Sequence, residues 1–93
     1  MSASDYLNRL FDLRGKVVLV TGATGQLGAE ICSAFSHMGT YVVGVDKVLN
    51  ENKQVISERC EYLETDIVQR DQVISIMNHV FNKYEHIDVL VNN

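Results

Sequence analysis

The 93-residue sequence contains no proline and no tryptophan, and only two cysteines and six glycines. With no proline and no Gly/Ser-rich or low-complexity stretch, no linker divides the chain by composition. No apolar run approaches the ~20 residues that a membrane-spanning helix needs. Residues 1–5 lack a basic segment followed by an apolar stretch, so export is not expected and the cytoplasm is the default location. Cys32 and Cys60 stand far apart, in neither metal-ligand nor redox spacing, and read as two buried thiols in a reducing compartment. His37, His79 and His86 have no partners at ligand spacing and read as surface or helix-end residues, so no metal site is expected. Eight Lys and Arg are scattered among twelve Asp and Glu, and the net charge of -4 argues against nucleic acid as a partner. A membrane partner has no support either. What is present is an ordinary globular balance, 46% apolar and 22% charged. A chain of this size buries roughly two-thirds of the surface its unfolded form exposes.

Short apolar runs alternate with longer periodic stretches. Lys16 to Thr21 is a continuous Val/Leu run, the pattern of a parallel strand buried on both faces, and Thr40 to Asp46 is a second. Cys60 to Asp66 is weaker and more charged, suited to a sheet edge, and Ile87 to Asn92 is a fourth strand. Between the first two, Leu27, Ile31, Ala34, Phe35 and Met38 form one face of an amphipathic helix, with Gly39 suited to its left-handed cap. Val73, Ile76, Met77, Val80, Phe81 and Tyr84 repeat that pattern before the fourth strand. A short helix over 50–59 would rest on Val55 and Ile56 alone. Strand–helix alternation of this kind implies an α/β fold, a parallel sheet of about four strands with helices on both faces. Residues 1–14 form an N-terminal arm, an amphipathic turn or two or a frayed leader, and 15–93 the domain proper.

The chemistry gathers after the first strand, in Thr21-Gly22-Ala23-Thr24-Gly25-Gln26-Leu27-Gly28. Three glycines allow a tight turn, close approach to a pyrophosphate and close helix–strand packing, and the helix N-terminus adds free N–H groups and partial positive charge. A buried strand before and an amphipathic helix after give the triplet its meaning. Gly22, Thr24, Gly25, Gln26, Leu27 and Gly28 are therefore the candidate phosphate contacts. Asp46 ends the second strand, 18 residues after Gly28, where a carboxylate accepts both adenosine ribose hydroxyls and repels a 2′-phosphate. This favours NAD over NADP, with Lys47 next to it softening the repulsion.

Together with Gly15 to Gly22 and Asp46, the segments Thr65-Asp66-Ile67 and Ile87 to Asn93 make the chain resemble the short-chain dehydrogenase/reductases. The resemblance implies a Rossmann-type dinucleotide-binding domain, incomplete at its C-terminus. It implies that Asp66 hydrogen-bonds the adenine amino group, with the backbone of Ile67 beside it. It also implies that Asn92 and Asn93 are the first two members of the family's Asn-Asn-Ala-Gly motif, which lies against the cofactor. The parent would be an NAD(P)-dependent oxidoreductase moving a hydride between nicotinamide and a carbonyl/alcohol substrate, and a homo-oligomer when full length.

Two features depart from the family pattern. The middle glycine is Gly25, with Gln26 where the main branch has glycine, a spacing similar to the branch that includes sugar-nucleotide epimerases. The Gly-Lys-Val opening and the Asn-Asn ending point back to the main branch. Second, the family often has Ser or Thr before the third helix; Val68 stands there, and a missing N-cap side chain costs about 1 kcal/mol. The family's catalytic Tyr is followed four residues later by Lys. Here Tyr6, Tyr41, Tyr62 and Tyr84 are followed at that spacing by Leu10, Val45, Asp66 and Asp88, so no catalytic residue is expected in the chain. Ending at Asn93 would leave the fourth strand as an apolar edge, which invites association without turnover. The alternatives are an NAD-dependent epimerase or dehydratase fragment, and a non-catalytic NAD(H)-binding module.

Overall fold

The computed structural model describes residues 2–10, 12–48 and 59–93. Four parallel strands, β1 (Val17–Thr21), β2 (Tyr41–Asp46), β3 (Cys60–Glu64) and β4 (Val89–Val91), lie in the order β3-β2-β1-β4. Helices α1 (Ala3–Leu10), α2 (Gln26–His37) and α3 (Arg70–Tyr84) complete the described elements. The expected edge position of the third strand is borne out, and each strand is one to three residues shorter than its apolar run at one end or both. The short helix expected over 50–59 falls outside the described residues, except for Arg59, which sits in a turn.

Alternation along the strands divides the core in two. Val17, Leu19, Val43 and Val45 face α3 and pack on Ile76 and Val80. Val18, Val20 and Val42 face the other way and pack with Ala23, Cys32 and Cys60. Both cysteines are buried thiols not joined in a disulfide. All of β1 is buried, as a central strand between two helical layers must be. No described helix is long and apolar enough to cross a membrane. In α1, Ser2 Oγ accepts the Asp5 N–H (3.1 Å), a cap that starts a helix whose Tyr6, Leu7 and Leu10 are exposed.

Two expectations need correction. The buried face of α2 is Gly28, Cys32 and Ser36, whereas Leu27 and Met38 are 63% and 53% exposed and Ala34 is also exposed. Close approach at Gly28 rotates the helix so that the 28-32-36 row meets the sheet, and Ile31 and Phe35 flank that row. The third helix is capped by Gln69, not residue 68. Asp66 Oδ1 accepts the Val68 N–H (3.1 Å) and the Asp66 carbonyl accepts the Gln69 N–H (3.0 Å). This local turn delays the helix by one residue, so Val68→Thr would install no N-cap.

Helix α2 ends as expected, with Gly39 at φ +83°. At the end of α3, Glu85 takes a left-handed φ of 73° while its N–H donates to the Phe81 carbonyl (3.0 Å). Glu85→Gly is expected to raise stability by about 0.5–1 kcal/mol by removing the Cβ penalty of that conformation. Thermal melting checks this; an unchanged midpoint would mean that the backbone carries no strain there.

On the α3 side, Glu61 ties edge strand β3 to the helix. Its carboxylate accepts from His79 Nε2 (2.6 Å), Tyr84 Oη (2.7 Å) and Lys83 Nζ. Burial alone would push the Glu61 carboxyl up, but hydrogen bonds from Lys83, Tyr84 and His79 outweigh it and hold the group below the usual 4.5. A depressed folded-state value means that this contribution is present above 4.5 and is lost as pH falls through the folded value. Glu61→Gln should cost about 1 kcal/mol at neutral pH and flatten the acid limb of the stability curve. Urea midpoints of both proteins against pH test it; parallel curves would mean that the cluster is solvated decoration.

Candidate functional site

The C-terminal ends of β1, β2 and β3 surround a cavity of about 270 Å³ lined by Gly22, Asp46, Lys47, Asp66, Ile67 and Asn93, among others. These six residues, expected at the site from four separate segments, are brought together by the parallel topology. Val45, Thr65 and Val68 complete the lining. None of them is a site candidate from sequence, since Val45 and Thr65 belong to the strand signal and Val68 stands at the expected helix cap.

Gly22 has φ +62°, and a Cβ on it would lie 3.2 Å from the Asn93 side chain and carbonyl. The loop therefore turns in the left-handed region directly against the end of β4. Asn93 donates from its backbone N–H to Thr21 Oγ1 (3.0 Å) and from Nδ2 to the Gly22 carbonyl (3.3 Å). The Thr21 hydroxyl points to Asn92 Oδ1 (3.3 Å) and the Val91 carbonyl (3.4 Å). Thr21 thus welds the glycine loop to the Asn-Asn pair, and Asn92 faces this weld while Asn93 faces the cavity. A hydroxyl ending an otherwise Val/Leu run was the available signal for Thr21.

Gly28 is buried, and a Cβ there would meet the Gly22 carbonyl oxygen at 2.0 Å. It serves packing and draws the first turn of α2 against the loop. Gly25 is the N-cap without a side-chain hydrogen bond, and the first turn carries no acidic residue. The first-turn N–H groups of Gln26, Leu27 and Gly28 have no intrahelical acceptor, so an anion arriving there meets donors and positive helix potential. Leu27 contributes backbone, since its side chain is largely exposed. Asp46 sits at the half-buried tip of β2. Its Oδ2 accepts from the Thr24 N–H (3.0 Å) and hydroxyl (2.6 Å), and its Oδ1 from the Lys47 N–H (2.8 Å). The Asp66 N–H donates to Gln72 Oε1 (2.7 Å), which holds the start of the β3–α3 turn beside the cavity.

These residues fit an adenine dinucleotide: a glycine cradle that a Cβ would fill, a helix start for phosphate, and a carboxylate at the ribose end. A larger cavity of about 430 Å³ adjoins this one and shares Val45, Thr65 and Ile67; it lies between α3 and the sheet face that carries Leu19 and Leu90, and Met77 and Phe81 are among its mainly apolar lining residues. It offers no charged partner to phosphates. Burial pushes the Tyr62 hydroxyl well above the ordinary tyrosine range, with Cys60 and Cys32 acting the same way. Burial and then Glu61 raise Tyr84. Neither is a general acid–base group near neutrality. Among the described residues no cluster of three or more His, Cys, Asp or Glu is placed to hold a metal ion.

A parallel sheet of this order with a glycine loop leading from β1 into α2 defines the Rossmann class. The family model described as short chain dehydrogenase matches residues 16–93, and the chain belongs to that family. An uncharacterized oxidoreductase of Schizosaccharomyces pombe is 33% identical over 81 residues, which cover 87% of this chain and 30% of that protein. An NAD-dependent glycerol dehydrogenase of Listeria innocua is 30% identical over 86 residues, 89% of this chain and 34% of that protein. The crystal structure of a short chain dehydrogenase from Leptospira borgpetersenii with bound NAD+ superposes with a TM-score of 0.76 at 28% identity, over 85% of this chain and 31% of that one. The chain thus spans about a third of the length of the curated relatives it matches.

Proposed function

We propose that this chain is the cofactor-holding part of an NAD-dependent oxidoreductase. The observation that carries this reading is the convergence of Gly22, Asp46, Asp66, Ile67 and Asn93 on one cavity, with the glycine loop running on from Gly22 into a helix start that no side chain caps. Phosphates bind at the N–H groups of Gln26, Leu27 and Gly28 at the start of α2, against the glycine loop. The ribose hydroxyls donate to Asp46, and the adenine amino group to Asp66 beside the Ile67 backbone. Asn92 and Asn93 close the loop from the β4 side. When bound, the cofactor supplies hydride exchange with a carbonyl/alcohol substrate. This chain's residues orient it, and the acid–base group belongs to other parts of a complete enzyme. The family match and the oxidoreductase names among the relatives favour this over an epimerase or dehydratase.

The test is titration of the chain with NADH and NADPH, followed by nucleotide fluorescence. Saturable binding, tighter for NADH, is expected. Absence of binding, or tighter binding of NADPH, contradicts the proposal.

A further inference from the structure

We propose that Thr24 is a positioning residue for cofactor choice, which acts by holding the Asp46 carboxylate rather than by touching phosphate. The inference rests on the reading of Asp46 as the ribose acceptor and assigns a second residue to the same discrimination. A loop that only cradles phosphate needs small residues and free N–H groups. At position 24 it has a hydroxyl, and both donors of that residue are turned toward a carboxylate 22 positions away.

The Thr24 hydroxyl reaches Asp46 Oδ2 at 2.6 Å, within the 2.5–2.7 Å typical of a hydroxyl–carboxylate bond, and the Thr24 N–H reaches the same oxygen at 3.0 Å. Two donors take up the two lone-pair directions of Oδ2. The Lys47 N–H at Oδ1 fixes the plane of the group. The N–H of Thr24 is engaged with Asp46, so the anion donors of the site are those further along, at the start of α2.

The consequence concerns repulsion. An aspartate at a half-buried strand end can relieve a clash with a 2′-phosphate by changing rotamer. Held at one oxygen by Thr24 and at the other by Lys47, it cannot swing away without breaking charge-assisted bonds. The fixed charge excludes NADP more strongly than a mobile one would, and presents an ordered acceptor to NAD.

The experiment measures the ratio of NADPH to NADH dissociation constants, by nucleotide fluorescence, for the wild-type chain and for Thr24→Val, Thr24→Ala, Thr24→Ser, Asp46→Ala and the Thr24→Val/Asp46→Ala double variant. Loss of one charge-assisted bond is expected to lower the wild-type ratio about tenfold in Thr24→Val and Thr24→Ala. Thr24→Ser should restore it, and Thr24→Val should change nothing further once Asp46 is alanine. An unchanged ratio in Thr24→Val and Thr24→Ala, an equal loss of both nucleotides, a failure of serine to rescue, or a full Thr24 effect without Asp46 overturns the inference while the Asp46 reading stands. A wild-type chain that binds neither nucleotide, or shows no preference for NADH, or an Asp46→Ala variant with the wild-type ratio, removes that reading and the inference with it.

Discussion

Gly28→Ala, the addition of one methyl group, is expected to destabilise the chain by about 3 kcal/mol or more and to abolish dinucleotide binding. The new Cβ would stand 2.0 Å from the Gly22 carbonyl oxygen and 2.9 Å from Ala23 Cα, and both neighbours are backbone. No flexible side chain can give way, so either α2 moves off the sheet or the glycine loop moves with its weld to Asn93. Moving α2 breaks its packing at Cys32 and Ser36; moving the loop shifts the donors proposed for phosphate. A domain whose total stability is about 5–15 kcal/mol feels either change strongly. Urea denaturation and NADH titration of the variant check both halves. Near-wild-type stability would show that the contact has slack, and retained binding would show that the helix start is not the phosphate site.

The second large effect is expected at Asp46. Asp46→Ala should weaken NADH binding and strengthen NADPH binding, each by about 1–3 kcal/mol, or roughly five- to 150-fold. The two changes have separate causes: loss of an acceptor for the ribose hydroxyls, and relief of repulsion toward the 2′-phosphate. Asp46→Asn separates them, because it keeps an acceptor for the Thr24 donors and removes the charge. Its NADPH gain should approach that of alanine, with a smaller NADH loss. Lys47, exposed and adjacent, then contributes attraction to the 2′-phosphate that Asp46 had masked. Dissociation constants for both nucleotides decide the point, and an unchanged ratio would mean that Asp46 serves only the loop.

The central strands were legible because both of their faces are covered: β1 is an unbroken Val/Leu run, buried throughout, whose odd and even residues divide between the two helical layers. The convergence of Gly22, Asp46, Lys47, Asp66, Ile67 and Asn93 on one candidate site was legible because parallel topology brings every strand's C-terminal end to one side. The rotation of α2 was not, because apolar periodicity registers side chains and the closest contact of that helix is made by a glycine that has none. The start of α3 was misplaced by one residue because Asp66 competes for the Val68 N–H, a local choice that apolar patterning does not record. His79 was read correctly as exposed, but its place in the Glu61 cluster joins a strand to a helix 18 residues further on. Nothing local signals such a pairing. Thr24 was read as a phosphate contact because it lies in the glycine loop; only the geometry turns its donors toward Asp46.

The most direct test of the account is a map of backbone amide shifts in the isotope-labelled chain as NAD+ is added. The account predicts progressive, saturable shifts at Gly22, Gln26, Leu27, Gly28, Asp46, Ile67 and Asn93, with the apolar groove around Met77, Phe81 and Leu90 unmoved. Shifts confined to that groove, or none at millimolar NAD+, would contradict it.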